Sequence, residues 1–191
     1  MAKLYFYYSS MDAGKSTALL QANHNYLERG MNTVLFTVRN EKNEKNKIIS
    51  RIGLSLESNT FSKKTKFMAE ITNINSQETL DCILIDEAQF LTKLQVKDLG
   101  NIVDRMDIPI LTYGLRTDFL GELFEGSKYL LAWADTIKEI KTICFCGAKA
   151  TMVARISKSG EFESDGKQIE IGGNERYVSL CRKHFISRVL S

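Results

Sequence analysis

The stretch "LYFYYSSMDAGKSTALLQ" (residues 4–21) joins an apolar run, a short polar loop and a segment that contains two leucines. Within it, Gly14, Lys15 and Ser16 match the end of the pattern Gly-x-x-x-x-Gly-Lys-Ser/Thr, which follows a strand and opens a helix. Loops of this kind surround phosphates with backbone N–H groups and with the positive end of the helix. The lysine neutralises phosphate oxygens, and the hydroxyl is placed to coordinate Mg²⁺. The stretch therefore predicts a phosphate-binding loop between a strand and a helix.

Two residues of this loop depart from the pattern. Ser9 stands where the first glycine is expected, so the turn must form without positive φ at that position. Asp12 adds a carboxylate that repels phosphates unless its side chain points outward, and the sequence leaves both orientations open. The alternative interpretation of the whole stretch is a strand–turn–helix in which Lys15 is an ordinary surface residue.

Short apolar runs alternate with amphipathic segments along the rest of the chain. Strands are predicted at residues 4–8, 33–38, 82–85, 108–113 and 137–143. Helices are predicted at residues 15–29, 92–106 and 122–134, and the polar segment 39–47 is predicted to be a mobile loop. Because the first four strands are mostly apolar on both faces, they indicate a mostly parallel sheet flanked by helices, which is an α/β fold.

Composition and charge restrict the class of protein. The 191 residues, of which 43% are hydrophobic and 26% charged, suit a globular chain with one medium domain and at most a small addition. A net charge of +3 with interspersed signs argues against a nucleic-acid or membrane-surface partner. The N-terminal apolar run is too short for a signal peptide or a membrane span, so we expect a cytoplasmic protein whose four cysteines are reduced or bind metal.

A second candidate site follows an apolar strand in "DCILIDEAQF" (81–90). In phosphate-loop enzymes an acid at the end of such a strand holds Mg²⁺, which suits Asp86. Since strand side chains alternate, Glu87 is expected on the other side, where a carboxylate can take a proton from a hydroxyl that attacks the γ-phosphate. The alternative interpretation is a solvated pair of acids at the end of a strand.

Three thiols and an imidazole near the C-terminus indicate a structural zinc site. The segments "CFCGAK" (144–149) and "CRKH" (181–184) supply the four candidate ligands, Cys144, Cys146, Cys181 and His184. Four protein ligands of these types suit tetrahedral Zn²⁺ in a closed site. The Cys-x-Cys spacing is tighter than usual, and unrelated buried thiols are the alternative.

The composition of the chain changes near residue 142. We therefore expect an α/β domain with the phosphate loop (1–141) and a small zinc-binding domain (142–191). Between the two halves of the zinc site, "ESDGKQIEIGGNERYVS" (163–179) is predicted to be a long loop. Loops of this length are usually either functional or disordered. A metal at the base of the loop favours a function over disorder, and we therefore expect a lasso-like strap that covers a substrate.

Taken together, these motifs resemble those of the thymidine kinases of the cellular and bacterial type, a family of phosphate-loop enzymes with an attached zinc domain. The matching segments cover nearly the whole chain in order: "YFYYSSMDAGKSTALLQ" (5–21), "DEAQFL" (86–91), "YGLRTDFLGELFEGS" (113–127), "EIKTICFCG" (139–147) and "IGGNERYVSLCRKHF" (171–185). The resemblance implies transfer of the γ-phosphoryl group of ATP, with Mg²⁺, to the 5′-hydroxyl of thymidine. It also implies a homotetramer and feedback inhibition by thymidine triphosphate.

The resemblance also assigns residues to roles. Glu87 would be the catalytic base, and Ser16 and Asp86 would bind Mg²⁺. The ATP site would comprise Ser9, Ser10, Met11, Asp12, Ala13, Gly14, Lys15, Ser16, Asp86, Glu87, Ala88 and Gln89. In the thymidine site, Phe119 would stack on the base and Tyr177 would close the pocket. The backbone of a strap would bind the edge of the base; the strap residues are Gln168, Ile169, Glu170, Ile171 and Gly172. Without the resemblance, core packing is the preferred interpretation of the two aromatic residues.

One segment differs from the family pattern. Members of the family resemble one another in an acid-acid-arginine element after the second strand, whereas this chain reads "VRNEKNEKNK" (38–47) and lacks the acid–arginine pair. Arg39 or Lys42 could replace the missing cation, and the sequence does not choose between them. The choice matters because the planar two-pronged guanidinium is not equivalent to the point charge of lysine.

Three other functions fit parts of the sequence. The alternative closest to a thymidine kinase is a kinase for a different deoxynucleoside. Thymidine and deoxyuridine, for example, differ by one methyl group, which is worth about 1–3 kcal/mol in an apolar pocket. A zinc-ribbon nucleic-acid binder that uses ATP as a switch would need a basic, aromatic-rich face, which the charge balance does not support. A phosphate-loop ATPase with water as acceptor would leave the strap and zinc site without a role.

Overall fold

A six-stranded parallel sheet forms the centre of the molecule. The structure is a computed structural model that describes residues 1–39, 46–168 and 176–190. The strands of the sheet, in the spatial order β5-β2-β6-β7-β1-β8, are β1 (Leu4–Ser9), β2 (Thr33–Val38), β5 (Asn59–Phe61), β6 (Cys82–Ile85), β7 (Ile110–Leu115) and β8 (Thr136–Glu139). Each pairing between these strands is parallel, so their carboxyl ends meet at one edge. The predicted α/β fold with a mostly parallel sheet is confirmed.

Helices cover both faces of the sheet, because its strands carry apolar side chains on both sides. They are α1 (Lys15–Leu27), α2 (Phe67–Gln77), α3 (Lys93–Met106) and α4 (Glu125–Trp133). Helix α1 buries Leu19 and Leu20 against one face, beside Leu84 of β6. Helices α2, α3 and α4 pack on the opposite face, where Ile83 and Ile85 of β6 lie. All four residues of β6 are buried, as expected for a strand covered on both faces.

The start of α3 shows how local sequence fixes a helix end. The Thr92 side chain accepts a hydrogen bond from the Gln95 backbone, and the Gln95 side chain accepts one from the Thr92 backbone. This reciprocal pair satisfies two N–H groups that a helix start otherwise leaves without partners. Thr92 therefore caps the helix that the sequence predicts over 92–106.

The C-terminal part of the chain forms smaller elements beside the sheet. They are β9 (Thr142–Ile143), β10 (Lys149–Ala150), β11 (Met152–Arg155), β12 (Tyr177–Leu180) and α5 (Arg182–Ser187). Strands β9 and β10 form one antiparallel pair, and β11 and β12 form another. The Ser179 hydroxyl of β12 donates to the Met11 carbonyl at 2.6 Å, so this part of the chain contacts the loop after β1 directly.

Several predicted boundaries shift. The strand predicted at 108–113 lies at Ile110–Leu115, after Pro109, whose ring removes a backbone donor. The strand predicted at 137–143 is divided into β8 and β9. The predicted loop 163–179 is shorter, because Tyr177 begins β12. Of the predicted loop 39–47, residues 40–45 lie outside the described residues.

The sequence interpretation missed the four elements between β2 and β6 that the structure describes. Helix α2 and the edge strand β5 lie between β2 and β6 in the chain, and they are preceded by a hairpin of β3 (Lys47–Ile49) and β4 (Ser55–Glu57).

In the parts of the chain that the structure describes, no helix is both long enough and apolar enough to span a membrane.

Candidate active site and metal centre

The loop after β1 has the backbone and side-chain contacts of a preformed turn. Gly14 adopts a left-handed conformation with φ of 78° and leads directly into α1. The Lys15 ammonium folds back over the loop, donating to the Ser10 carbonyl at 2.9 Å and to the Ser9 hydroxyl at 3.1 Å. Ser9 thus occupies the position of the missing glycine without positive φ and gives the lysine a partner. The lysine is therefore held over the loop by oxygen atoms of the loop itself.

Burial and charge shape the chemistry of this loop. Burial lowers the pKa of the Lys15 ammonium, while the nearby carboxylates of Glu87, Asp86 and Asp12 act in the opposite direction. The Ser10 hydroxyl oxygen is buried and has no hydrogen-bond partner among the described residues. Since buried polar atoms are normally paired, this oxygen and the partly buried lysine are suited to an anionic ligand in the loop.

The Asp12 carboxylate forms an ion pair with a second cation. Its Oδ1 lies 2.6 Å from Nη2 of Arg51, in the turn between β3 and β4. The Arg51 side chain is 59% exposed and that of Asp12 35% exposed, so the ion pair sits at the mouth of the loop. Asp12 itself has φ of 60°. Arg51 was not among the candidate residues from sequence, because nothing in its local pattern indicates a contact 39 positions away.

Ser16 and Asp86 are in direct contact. The Ser16 hydroxyl donates to Oδ2 of Asp86 at 2.8 Å across the carboxyl edge of the sheet. Burial, followed by the charge of Glu87, raises the pKa of the Asp86 carboxyl to about 7. A hydroxyl and a carboxylate held together are the oxygen donors that Mg²⁺ prefers. The two residues therefore fit the predicted magnesium site.

The alternation of side chains along a strand predicts that Glu87 diverges from Asp86, and the structure gives a different reason for the divergence. Strand β6 ends at Ile85, so the alternation of side chains along a strand does not apply to the two acids. Instead Glu87 adopts a left-handed conformation with φ of 54° and precedes a single 3-10 turn. Positive φ is uncommon for a residue with a side chain and is frequent at functional sites.

Gln89 holds the Glu87 side chain in place. Its amide Nε2 donates to Oε2 of Glu87, and its Oε1 accepts from the Leu115 backbone at 3.0 Å. Gln89 is buried, and Gly114 provides the space for it: a Cβ at Gly114 would lie 2.8 Å from Oε1 of Gln89. The carboxylate of Glu87 is thereby tied to the end of β7.

A cleft of about 910 Å³ lies at the carboxyl edge of the sheet. Residues from both candidate sites line it, and those that the sequence named are Met11, Asp12, Ala13, Gly14, Lys15, Ser16, Asp86, Glu87, Gln89, Phe119, Gln168 and Tyr177. Arg39, one of the two candidates for the missing cation, also lines the cleft, whereas the other candidate, Lys42, lies outside the described residues. The other three residues predicted for the ATP site are buried and are not among the lining residues: Ser9, Ser10 and Ala88. The predictions for Ile169, Glu170, Ile171 and Gly172 lie outside the described residues.

The loop after β7 that carries Phe119 is fixed by an aspartate. Oδ1 of the buried Asp118 accepts hydrogen bonds from the backbone of Leu120 and Glu122, each at 2.9 Å. Its other oxygen accepts from Nε2 of Gln168 at 2.8 Å. Asp118 was missed from sequence, although it lies in one of the segments that carry the resemblance. It joins the Phe119 loop to the start of the predicted strap.

The four candidate zinc ligands come together from two separate segments. Their potential ligand atoms all lie within 4.8 Å of one another. Nδ1 of His184 lies 3.4 Å from Sγ of Cys144 and 3.5 Å from Sγ of Cys181, and the sulfurs of Cys146 and Cys181 are 4.0 Å apart. Tetrahedral Zn²⁺ with bonds of about 2.0–2.3 Å holds its ligand atoms roughly 3.5–3.8 Å apart.

These distances fit a zinc ion, so the cluster could hold one. The ring of Phe145 stacks on His184, with 4.4 Å between centroids, and so orients the imidazole. The fourth cysteine, Cys82, is buried in β6 as a core residue.

The fold and the loop define the class of protein. A parallel sheet whose first strand leads through a Gly-Lys-Ser loop into a helix, with an acid after a nearby strand, is an α/β protein of the phosphate-loop (P-loop) class. The cluster of three cysteines and one histidine lies outside this shared core.

Comparison with known proteins identifies the family within this class. The family model for thymidine kinase matches residues 2–185. A thymidine kinase of Salmonella paratyphi A is 56% identical over 186 residues, covering 97% of this chain and 91% of the relative. A thymidine kinase of Pasteurella multocida is 55% identical over 190 residues, covering 99% of each chain. That of Escherichia coli O157:H7 is 55% identical over 186 residues, covering 97% and 91%.

The chain belongs to the thymidine kinase family. The resemblance stated from sequence, and with it the prediction of an enzyme of this kind, is confirmed.

Proposed function

We propose that the protein transfers the γ-phosphoryl group of ATP to the 5′-hydroxyl of thymidine. The observation that carries the proposal is the shared cleft: Lys15, Glu87 and Phe119 line one volume at the carboxyl edge of the sheet. Ligands bind at this edge of open α/β sheets as a general rule. A volume of about 910 Å³ is sufficient for two bound substrates of this size to be held side by side.

The phosphate end of the cleft suits ATP. We assign ATP binding to residues 9–16 and 86–89, with the loop N–H groups and the Lys15 ammonium facing the phosphates. The position of Lys15 above the loop, 2.9 Å from the Ser10 carbonyl, supports this assignment. Mg²⁺, when bound by Ser16 and Asp86, supplies positive charge that neutralises phosphate oxygens.

Glu87 is the proposed general base. Glu87 lines the same cleft as the phosphate loop and Phe119, and its contact with Gln89 orients its carboxylate. There it accepts the proton of the thymidine 5′-hydroxyl while that oxygen forms its bond to the γ-phosphorus and the bond to the β-phosphate oxygen breaks. Most of the remaining catalysis is positioning and electrostatic stabilisation, since phosphoryl transfer asks little covalent chemistry of the protein.

The pyrimidine end of the cleft suits thymidine. We assign the base to a site between Phe119 and Tyr177, under a strap formed by residues 168–172. Backbone N–H and C=O groups of such a strap are fixed donors and acceptors that match a pyrimidine edge. The contact of Gln168 with Asp118 supports a strap that starts over the Phe119 loop.

The zinc cluster has a structural role in this proposal. Zn²⁺ held by Cys144, Cys146, Cys181 and His184 ties together the two ends of the strap-bearing segment. We also propose two domains, 1–141 and 142–191, divided at the change in composition. A homotetramer, feedback inhibition by thymidine triphosphate and a cytoplasmic location are proposed from family membership alone.

Substitution of Glu87 by Gln tests the proposed mechanism. We expect turnover of thymidine with ATP and Mg²⁺ to fall by about 10²–10⁴-fold, because the amide cannot accept the proton. Nucleotide binding, measured by calorimetry, should be retained. Glu78→Gln, at the exposed end of α2, is the matched control and should keep full turnover.

Two outcomes would contradict the proposal. Near-normal turnover of the Glu87→Gln variant with intact ATP binding would remove its role as base. Failure of the zinc-loaded wild-type protein to transfer label from [γ-³²P]ATP to any member of a pyrimidine deoxynucleoside panel would remove the function itself. The same panel, with thymidine against deoxyuridine, measures the preference for the methyl group.

A further inference from the structure

Arg155 is a fully buried cation outside the residues assigned so far. It lies on β11, and its side chain is 1% exposed. Burying a guanidinium is unfavourable unless each of its donors finds a partner, and replacing a buried ion pair by apolar residues is often neutral for stability. The geometry of its partners therefore bears on what Arg155 does.

Most of the described partners of Arg155 belong to the segment that leads into the strap. Nε donates to the Glu163 carboxylate, Nη1 to the Lys167 carbonyl at 2.9 Å and Nη2 to the Asp165 carbonyl at 3.3 Å. One side chain thus fixes three positions within five residues. The planar fork of arginine can do this, whereas the single ammonium of lysine cannot hold the same set in one plane.

The same guanidinium lies beside both aromatic residues of the pyrimidine end. Its Cζ lies 3.6 Å from the centroid of the Phe119 ring, which is a cation–π stacking distance. Tyr177 is the register partner of Arg155 across β11 and β12, so their side chains are neighbours on one face of this strand pair. One face of Phe119 is therefore covered by Arg155, which leaves other parts of the ring for the cleft that it lines.

Gly166 shows how closely the strap segment approaches this cation. Its φ is 131°, and a Cβ there would lie 2.3 Å from Nη2 of Arg155 and 4.0 Å from Cζ of Phe119. A side chain there would require the Arg155 guanidinium to move from its place. Two residues later, Gln168 reaches Asp118, so the segment from Gly166 to Gln168 is pressed onto the Phe119 loop.

We propose that Arg155 is the positioning residue of the pyrimidine end of the cleft. It holds the Phe119 ring and the first part of the strap in one arrangement, opposite its strand partner Tyr177. This inference rests on the proposed function, since the arrangement matters only if a nucleoside base binds there. Disturbing it should weaken thymidine binding and leave ATP binding intact.

Substitution of Gly166 by Ala tests the close contact. We expect the KM for thymidine to rise about tenfold or more, because the added methyl group separates the strap from Arg155 and Phe119. The KM for ATP should stay within about twofold of the wild-type value. Gly160→Ala is the matched control: Gly160 also has positive φ, 85°, but a Cβ there meets no atom of the described residues within 4 Å. The control should lose stability without a change in either KM.

Arg155→Lys is the second variant, in case Gly166→Ala does not fold. It retains the charge opposite Glu163 and loses the fork, and we expect a raised thymidine KM with unchanged ATP KM. Thymidine binding without ATP, measured by calorimetry, should weaken in parallel. In the Arg155→Lys background the effect of Gly166→Ala should shrink, since both act through one contact.

The outcomes separate this inference from the proposed function. If the wild-type protein phosphorylates thymidine while Gly166→Ala behaves like Gly160→Ala, Arg155 has a structural role only and the inference is wrong. It is also wrong if the KM values for thymidine and ATP rise together, or if the two substitutions add independently. A wild-type protein that transfers no label to thymidine overturns the inference together with the proposed function.

Discussion

Substitution of Gly126 by Ala should disable the enzyme from a position that touches no substrate. Gly126 lies in the first turn of α4, which packs against the 3-10 turn after Glu87. A Cβ at this position would lie 2.3 Å from the Ala88 carbonyl oxygen and 2.8 Å from that of Gln89. Both neighbours are backbone atoms, so no side chain can rotate away to make room.

The size of the effect follows from these distances. Tight real contacts of a Cβ lie at 3.0–3.4 Å, so helix and turn must separate by roughly 0.7–1.1 Å, an overpacking that typically costs about 1–3 kcal/mol of stability. The turn begins directly after Glu87 and contains Gln89, which holds the Glu87 carboxylate. A misplacement of about 1 Å can lower turnover by about 10²-fold. We therefore expect a folded variant with kcat reduced about 100-fold.

The assay compares kcat for thymidine with the free energy of unfolding in urea. The control is Gly100→Ala in α3, where a Cβ meets no atom within 4 Å in the part of the chain that the structure describes. That variant should keep full kcat and gain up to about 1 kcal/mol of stability, because alanine is the better helix former. If Gly126→Ala retained wild-type kcat, the close packing of α4 would not position Glu87, and the reasoning would be refuted.

Three further predictions concern other parts of the molecule. Asp12→Asn should lower the KM for ATP at low salt, because Arg51 is released from its ion pair and can turn towards the phosphates. The expected change is up to about fivefold, since exposed ion pairs are worth about 0–1 kcal/mol. An unchanged KM for ATP at low ionic strength would contradict this. Cys146→Ser should lower zinc content and raise the KM for thymidine before that for ATP, whereas equal damage to both would indicate general unfolding. Burial raises the pKa of Cys82 to about 12, so its thiol contributes stability below the ordinary thiol pKa of about 8.5 that is lost as pH rises towards 12. Urea titrations at pH 8 to 10 should therefore show a shallower alkaline loss for Cys82→Ala than for the wild type; equal slopes would disprove the assignment.

Local patterns predicted the central strands and the phosphate loop well. The run before the loop, the helix after it and the apolar strand before Asp86 carry their information within a few residues, and they fold as the patterns indicate. The cysteines and histidine were also readable, because metal ligation restricts residue type and spacing. Strand β5 was missed because it is a three-residue edge strand, too short to carry a clear period. Helix α2 does carry apolar residues at helical spacing, Phe67, Ile71 and Ile74, so a signal that was present in the sequence was overlooked.

Contacts between distant positions could not be read from local patterns. Arg51 pairs with Asp12, and Arg155 stacks on Phe119, through the packing of segments that are far apart in the chain. The backbone of Glu87 is another example, since a left-handed conformation at a residue with a side chain leaves no mark in composition. These features depend on the tertiary structure and fix the fine geometry of the candidate site.

The place of β1 in the sheet has a consequence for synthesis of the chain. It pairs with β7 on one edge and with β8 on the other, so Leu4 faces Ile110 and Tyr5 faces Thr136. At about 5–20 residues per second, a ribosome needs at least several seconds after β1 emerges to produce the first of these partners. Throughout that interval the strand that leads into the nucleotide loop has two bare hydrogen-bonding edges and an apolar surface. We therefore expect β1 to become fully paired only after β8, the last strand of the central sheet, has been released.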